Sequence, residues 1–549
     1  MYISKVILKD FKKFSGQFEI DLNEHTNVLV GDNEAGKSTI LEAINIALTG
    51  IYGSRYVSRD INLFLFNKDA VAAWLEQIKT GDVGLLPSVI IELYFGGEDL
   101  MADFNGSLCL KPGDHFGIRF EISFDETYSD ELAQVVAGGR EDPLKTLPIE
   151  YYRARWRMFS RKDITPRSIP LRSAFIDSTA ARYQNGSDIY INRIIRNLLE
   201  PKELVKIAQT YRETKEHFMA SEAISAINDK ISAAAKISDK KVSIAVDVSS
   251  KSTWDAGLST FIEDVPFEFV GKGEQSIVKS NLALSQEGAA DAGVVLVEEP
   301  ESHLSHSRLN MLLDMIEEHR EGRQLLITTH SSFVANKVGL TDLVLLNNNK
   351  TIRLHELGIG TLDFFKKLAG YDTLRMILSS KTILVEGDSD ELVVQKAFAD
   401  RNDGKLPIQK GVEVISVGTS FLRFLELANA LDLNVVAVTD NDGDVAAVDR
   451  KYSNYTGDNK KPGILVAFDR IIDGGDLMIG DKPYNYNTLE PKMLKANGRE
   501  KVNSVLGANF DSDDALLKYM RNNKTEVALK FFETNQELEF PEYILVAIQ

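Results

Sequence analysis

The sequence predicts two α/β units in series, a phosphate-binding head carrying a helical insertion and then a Rossmann-like unit built on a parallel sheet. Three observations predict it. Residues Gly31 to Thr39 read GDNEAGKST between an apolar strand and a helical stretch. A second apolar run, Val294 to Val297, ends in Glu298-Glu299. From Lys381 onward, apolar strands alternate with helical stretches and carry carboxylates at their ends, the pattern of a parallel sheet whose ligand site lies at the carboxyl ends of its strands.

The first of these is G-x-x-x-x-G-K-S, a phosphate-binding loop in the strand–loop–helix context it requires. Gly31 and Gly36 let the backbone approach phosphate closely, and the helix start adds positive field. Lys37 is placed to reach the β- and γ-phosphates and Ser38 to hold Mg²⁺, which makes Asn33, Gly36, Lys37, Ser38 and Thr39 the expected ATP contacts. Before the loop, residues 2–22 read as two strands around Lys12 to Gly16, and Val89–Phe95 and Phe116–Phe124 read as further strands.

Length and composition bound the rest. A chain of 549 residues exceeds one core, so two or three domains are expected. No apolar run approaches the ~18 residues of a membrane span. The N-terminus alternates like a strand and lacks a signal-peptide core. Cys109 is the single cysteine, which excludes an intrachain disulfide and fits a reducing cytoplasm. The net charge of −18 argues against a chain coated in nucleic acid but leaves room for a local basic groove and for carboxylate-rich metal sites.

Such a basic stretch is Tyr151 to Arg172, where Arg153, Arg155, Arg157, Arg161, Lys162, Arg167 and Arg172 face only Asp163 and are interleaved with Tyr151, Tyr152, Trp156 and Phe159. It suits a nucleic-acid groove, a strand with a solvated charged face, or arginines facing ATP phosphates. Residues 187–238 turn helical, with stripes at Ile191, Ile194, Ile195, Leu198, Leu199, then Leu204, Ile207, Ala208, Tyr211, then Ala223, Ile224, Ile227, Ile231, and Pro201 at a helix start. A dimerisation arm and a packed satellite bundle share that pattern. No sustained heptads occur, so no long coiled coil is expected.

Val294 to Glu301 is a Walker B strand. Glu298 takes the position of the Mg²⁺-supporting acid and Glu299 that of the base that polarises the attacking water. Gln324 to Thr329 is another buried strand, with His330 at its end. The strand, Phe11-Lys12-Lys13-Phe14 turn and strand before the loop resemble the N-terminal lobe of the RecF/SMC-like branch of ABC ATPases. On that resemblance, Gly271 to Ser276 takes the place of the signature motif, with Gly-Lys-Gly where Ser-Gly-Gly is usual. Ser302 to Ser305 resembles the D-loop, and His330 the switch histidine that contacts the γ-phosphate. The ATPase head is expected over residues 1–375.

In the second unit, residues 376–549, Glu386 follows the strand Lys381–Val385, and Asp440 and Asp442 follow the strand Val435–Val438. Two apart on an extended chain, Asp440 and Asp442 would face one side. Clustered carboxylates call for a hard cation, Mg²⁺ or Mn²⁺. Residues 445–485 read as a loop-rich insertion. The Glu-Gly and Asp-x-Asp arrangement resembles the Toprim domain. An ATPase head followed by Toprim resembles the OLD (overcoming lysogenisation defect) family of endonucleases. The resemblance implies that Asp390 and Glu490 join Glu386, Asp440 and Asp442 as metal ligands and that Lys524 is the late catalytic lysine.

The resemblance also implies an ATP-regulated, divalent-metal-dependent DNA endonuclease of bacterial anti-phage defence. It would act as a homodimer or higher homo-oligomer, beside a helicase-like or other defence-system partner and away from membranes. The alternative is a non-catalytic ATP-gated DNA clamp or sensor. A topoisomerase would need a tyrosine nucleophile on a separate gate domain, and a primase a zinc site that one cysteine cannot supply.

Overall fold

Burial follows the alternation of the N-terminal strands. Phe11 and Phe14 are both fully buried and face each other across the tight turn between the strands Tyr2–Phe11 and Phe14–Asp21, with Asp10 and Lys12 in the left-handed region to make that turn. Phe14 stacks on Phe18 at 4.2 Å. The computed structural model describes the chain apart from residues 33, 54, 80–82, 99, 139–143, 178–182, 185–186, 189–198, 235–241, 247–259, 285–292, 319–321, 339–341, 348, 354–360, 362–374 and 378. The chain divides into two compact units, Met1–Asn27 with Ser38–Thr329, and Val28–Lys37 with His330–Gln549.

In the first unit an antiparallel sheet runs in the order Asp163–Ile164, Tyr152–Met158, His115–Phe124, Val89–Gly96, Tyr2–Phe11, Phe14–Asp21. Its strand Val89–Gly96 is buried on both faces, and Glu92 sits in the middle of it with no exposure. That carboxylate survives because Tyr94 Oη donates to it at 2.8 Å, Leu110 N at 2.9 Å and Arg119 at 3.3 Å. Burial still pushes the carboxyl above its ordinary range, against those hydrogen bonds.

The same unit holds three parallel strands, with Val294–Glu298 between Ser173–Asp177 and Gln324–Thr329. Gln324, buried, ties this layer to the N-terminal strand: its amide oxygen accepts from Ile3 N at 2.9 Å, and its amide nitrogen donates to Ile3 O and Asn23 O at 2.7 Å. The helical insertion contains Pro201–Met219, started by a Glu200/Glu203 capping box with Pro201 in the first turn, and Glu222–Ala234. The stripe Leu204, Ile207, Ala208, Tyr211 is half-buried, Ile224 is buried and Ile227 is exposed. The expected stripe at 191–198 lies outside the described residues.

In the second unit the segment Val28–Gly31 of the strand Thr26–Gly31 runs parallel to Leu343–Asn347, which pairs antiparallel with Lys350–Arg353. A separate parallel sheet follows the order Val412–Ser416, Lys381–Val385, Val435–Val438, Ile464–Ala467. Successive residues point to opposite faces, and both faces are covered. Ile383, Val385, Val414, Val436 and Val438 enter one core with the helix Asp388–Arg401 and the C-terminal helices. Leu384, Ile415, Val435 and Ala437 enter another core with Phe421, Phe424 and Leu425 of the helix Phe421–Leu431. That second core also contains Val28, Val30, Leu343 and Leu345.

The structure corrects the loop reading of 445–485. Ile464–Ala467 is a full member of the sheet, registered against Val435–Val438, and the apolar run Ile464-Leu465-Val466-Ala467 after Gly463 is its signal. Among the described residues, no helix is long and apolar enough to cross a membrane.

Candidate active sites

The phosphate loop owes its shape to close approach. A Cβ on Gly31 would lie 2.5 Å from Leu346 O of the neighbouring strand, so only glycine fits. Glu34 and Gly36 take positive φ, and Ala35 N donates to Asp32 O at 3.1 Å, closing the turn before the helix Lys37–Thr49. Lys37 is buried. Its Nζ donates to Gly31 O at 2.9 Å and Asp32 O at 3.0 Å, and lies 3.5 Å from His330 Nδ1. The structure thus brings together Lys37 and the expected switch histidine. Gly36 is buried at the helix start, Ser38 and Thr39 are half-buried in the first turn, and Asn33 lies outside the described residues. A buried ammonium among loop carbonyls, at the start of a helix, fits a nucleotide polyphosphate.

In the first unit, Glu298 closes its parallel strand and Glu299 turns the chain at φ +40, its N–H donating to Thr328 O at 3.0 Å. Ser302 Oγ reaches Glu299 Oε2 at 3.5 Å, and Thr329 Oγ1 donates to Glu301 Oε1 at 2.7 Å. Gly271-Lys272-Gly273 opens the helix Lys272–Leu284. A Cβ on Gly273 would sit 2.7 Å from His303 O, so the glycine lets the signature-like turn press against the D-loop-like turn.

The carboxylates of the second unit stand at the carboxyl ends of the parallel strands. Glu386 follows Lys381–Val385, and Asp390 lies in the first turn of the next helix, its Oδ2 accepting from Gly387 N at 3.1 Å. Asp440 lies two residues past Val438, half-buried. Glu490, almost fully buried, comes from the first turn of the helix Leu489–Asn497, and Lys524 from the start of Lys524–Glu533. Lys524 Nζ is 3.0 Å from Glu490 Oε1, and Thr488 Oγ1 donates to Glu490 Oε2 at 3.1 Å.

These groups act on one another. Burial, then Asp390, Glu386, Asp442 and Glu490, push Asp440 up to about 8. Burial and Glu490 push Asp390 up to about 6. Burial and Asp442 raise Glu386, with Lys451 and Lys524 pulling the other way. Burial works against the charge on Lys524, yet Glu490, Asp390 and Asp440 outweigh it and raise its pKa. Mutual repulsion of this kind is relieved when a hard cation enters, and an all-oxygen donor set suits Mg²⁺ or Mn²⁺.

Two expectations of geometry are revised. The strand ends at Val438 and Asp442 adopts φ +50, so Asp442 sits exposed on a turn, its Oδ1 accepting from Asn485 Nδ2 at 2.8 Å, instead of extending beside Asp440. Among the described residues, no three His, Cys, Asp or Glu side chains are gathered at ligating distance. For Glu386, Asp390, Asp440, Asp442 and Glu490 the physical reason is their like charge, with Lys524 and Asn485 each engaging one member.

Sequence reasoning missed the supports behind the cluster. Asn441, buried between the two acids, donates to Asp469 O at 2.6 Å and Ile471 O at 3.1 Å and accepts from Gly443 N at 2.9 Å. Lys492, also buried, bridges Asp469 Oδ2 at 2.6 Å and Asp473 Oδ2 at 2.7 Å. Tyr543 is buried, and burial followed by Asp440 and Asp390 holds its phenol well above the ordinary value. The acid run Asp469, Asp473, Asp476 facing Lys492 and Lys495 was the available signal for the bridge.

Residues 5–245 match the family described as AAA domain, and residues 377–442 the family described as overcoming lysogenization defect protein-like, TOPRIM domain. A DNA replication and repair protein RecF of Lachnospira eligens is 35% identical over 81 residues, 15% of this chain and 22% of that protein, so the chain spans about a fifth of the relative. Among solved structures, an SMC head domain from Thermotoga maritima has a TM-score of 0.29 at 14% identity, covering 64% of this chain and 97% of that one. The C-terminal region of the Xanthomonas campestris OLD protein has a TM-score of 0.23 at 22% identity, covering 31% and 92%. The chain thus carries a stretch that matches an AAA domain followed by one that matches a TOPRIM domain of the OLD-like kind.

Proposed function

We propose that this protein is an ATP-regulated, divalent-metal-dependent DNA endonuclease, with residues 1–375 as the ATPase and 376–549 as the nuclease. The observation that carries the reading is the set of mutually repelling carboxylates at the strand ends, with Asp440 held up to about 8 and Lys524 against the buried Glu490. Glu386, Asp390, Asp440, Asp442 and Glu490 would hold Mg²⁺ or Mn²⁺, which when bound supplies charge stabilisation around a scissile phosphate. Lys524 Nζ holds Glu490 in place and offers positive charge to the phosphate. Asn441 and Lys492 fix the loop behind Asp440.

In the ATPase, Lys37 and the loop amides hold the phosphates, Ser38 and Glu298 would hold Mg²⁺, Glu299 orients and deprotonates water, and His330 reports the γ-phosphate. The helices of 187–238 serve as a dimerisation arm, and bacterial anti-phage defence, beside a helicase-like or other defence-system partner, is the setting that the OLD-like TOPRIM suggests. The test is a plasmid-nicking assay on the purified protein with Mg²⁺ or Mn²⁺, with and without ATP. Nicking that appears with metal and disappears with EDTA is expected; a protein that binds DNA and cuts nothing in either metal is a clamp or sensor instead.

A further inference from the structure

An open cavity of about 1190 Å³ lies in the first unit between the end of the helix Lys37–Thr49 and the strand Tyr152–Met158. Arg59, Arg153, Arg155, Arg167 and Arg172 line it against the single acid Asp163, in a chain whose net charge is −18. The neighbouring strand Asp163–Ile164 pairs with Arg157 and Trp156, so among the described residues the backbone of 153–155 forms an open sheet edge at the cavity.

The arginines of this region are not equivalent. Arg119 and Arg157 are engaged by Glu92 and Glu121, and Arg153 lies 3.2 Å from Asp125. Arg59, Arg155, Arg167 and Arg172 form no ion pair among the described residues, and the buried Nε of Arg155 has no hydrogen-bond acceptor among them. A buried guanidinium N–H without an acceptor points to an anion from outside the chain.

The floor is rigid. Trp156 is buried against Phe120 and donates its indole N–H to Ala47 O at 3.0 Å. Gly50, at φ +70, leaves so little room that a Cβ would lie 3.0 Å from Pro166 Cγ. Thr49 and Gly50, in the cavity wall, mark the far end of the helix from Ser38, ~16 Å away at 1.5 Å per residue, so this wall of the cavity lies away from the phosphate loop.

We propose that this cavity binds the phosphodiester backbone of a nucleic acid, outside both the nucleotide loop and the carboxylate cluster. Planar guanidinium forks match phosphate oxygens. The volume exceeds the ~300–1,000 Å³ typical of a small-molecule site, which favours an extended ligand. Tyr56, 51% exposed on the rim, offers a ring for a base to stack on. The choice of nucleic acid over an acidic peptide rests on the nuclease reading; the anion site itself does not.

The experiment is fluorescence anisotropy on the full chain with labelled single- and double-stranded oligonucleotides, in EDTA and without ATP, across a salt titration. Arg59, Arg167 and Arg172 are exposed, so the triple change to Gln leaves the melting temperature near wild type. Binding should weaken at least ~10-fold, and the slope of log K against log salt should fall by about 0.9 per lost contact for duplex and 0.7 for single strands. Lys at the same three positions should restore the slope but not all of the affinity. Wild-type binding and slope in the Gln variant would overturn the proposal, as would an equal loss for a labelled polyglutamate peptide. Weakened binding by the Gln variant of a protein that cuts no DNA would sustain this site and sink the nuclease reading. Unchanged binding by the Gln variant of a protein that does cut would do the reverse.

Discussion

The phosphate loop takes its groups from one unbroken run, Gly31 to Thr39, whereas the carboxylate cluster draws Glu386 with Asp390, Asp440, Glu490 and the attendant Lys524 from four separate places around one sheet. In the loop the one ammonium, Lys37, donates to backbone carbonyls of its own turn. In the cluster the carboxylates repel one another, and among the described residues no three of them are gathered at ligating distance. A site made of local backbone geometry is specified by spacing along the chain. A site made of side chains meeting across a sheet is specified by topology, and its electrostatic strain is the trace left in the folded chain.

The largest expected effect separates the two. Glu386→Ala with Asp440→Ala should abolish metal-dependent DNA cleavage while ATP hydrolysis stays near wild type; Lys37→Ala should lose ATP hydrolysis and keep some nicking. Paired nicking and phosphate-release assays read both. Full cleavage by the double variant would remove the carboxylates from the chemistry.

Next comes Glu299→Gln, which keeps the shape and removes the base. ATP turnover should fall by about 10²–10⁴-fold with nucleotide binding retained. An unchanged steady-state rate would show that another group takes the proton.

Smallest is Lys492→Met. The buried ammonium is nearly isosteric with the thioether, but Asp469 and Asp473 lose their shared donor. Because both carboxylates keep partial access to water, the loss should be about 2 kcal/mol, read by thermal or urea unfolding. Cleavage should fall with it, since Asn441 and Lys492 grip the same loop from two sides. Full stability would mean that the Lys492 bridge contributes nothing to holding that loop.

What could be read beforehand follows the same divide. The phosphate loop, the strand ending in Glu298 and the order of elements from Lys381 to Val438 were legible because each is a local pattern. Asp390, Glu490 and Lys524 were reachable only through a family resemblance, since no spacing announces that three helix starts meet at two strand ends. Ile464–Ala467 was overlooked because the Gly- and Asp-rich flanks outweighed four apolar residues in the reading, while the sheet edge beside Val435–Val438 decided the matter in the fold. The turn at Asp442 was hidden for a different reason: two residues of strand geometry were assumed where Gly443 and the Asn441 side chain already bend the chain.

The core shared by Val28, Val30, Leu343 and Leu345 with Leu384, Ile415 and Phe424 bears on how such a chain could have been assembled from parts. Asn347 Nδ2 also donates to Leu431 O at 2.8 Å across that same region. A gene cut at residue 375 would take Val28, Val30, Leu343 and Leu345 out of that core and leave bare the apolar side chains they cover, a surface that invites aggregation. A boundary drawn at residue 375 therefore passes through a single apolar core, and the first residues of that core lie in the strand that leads into the phosphate loop.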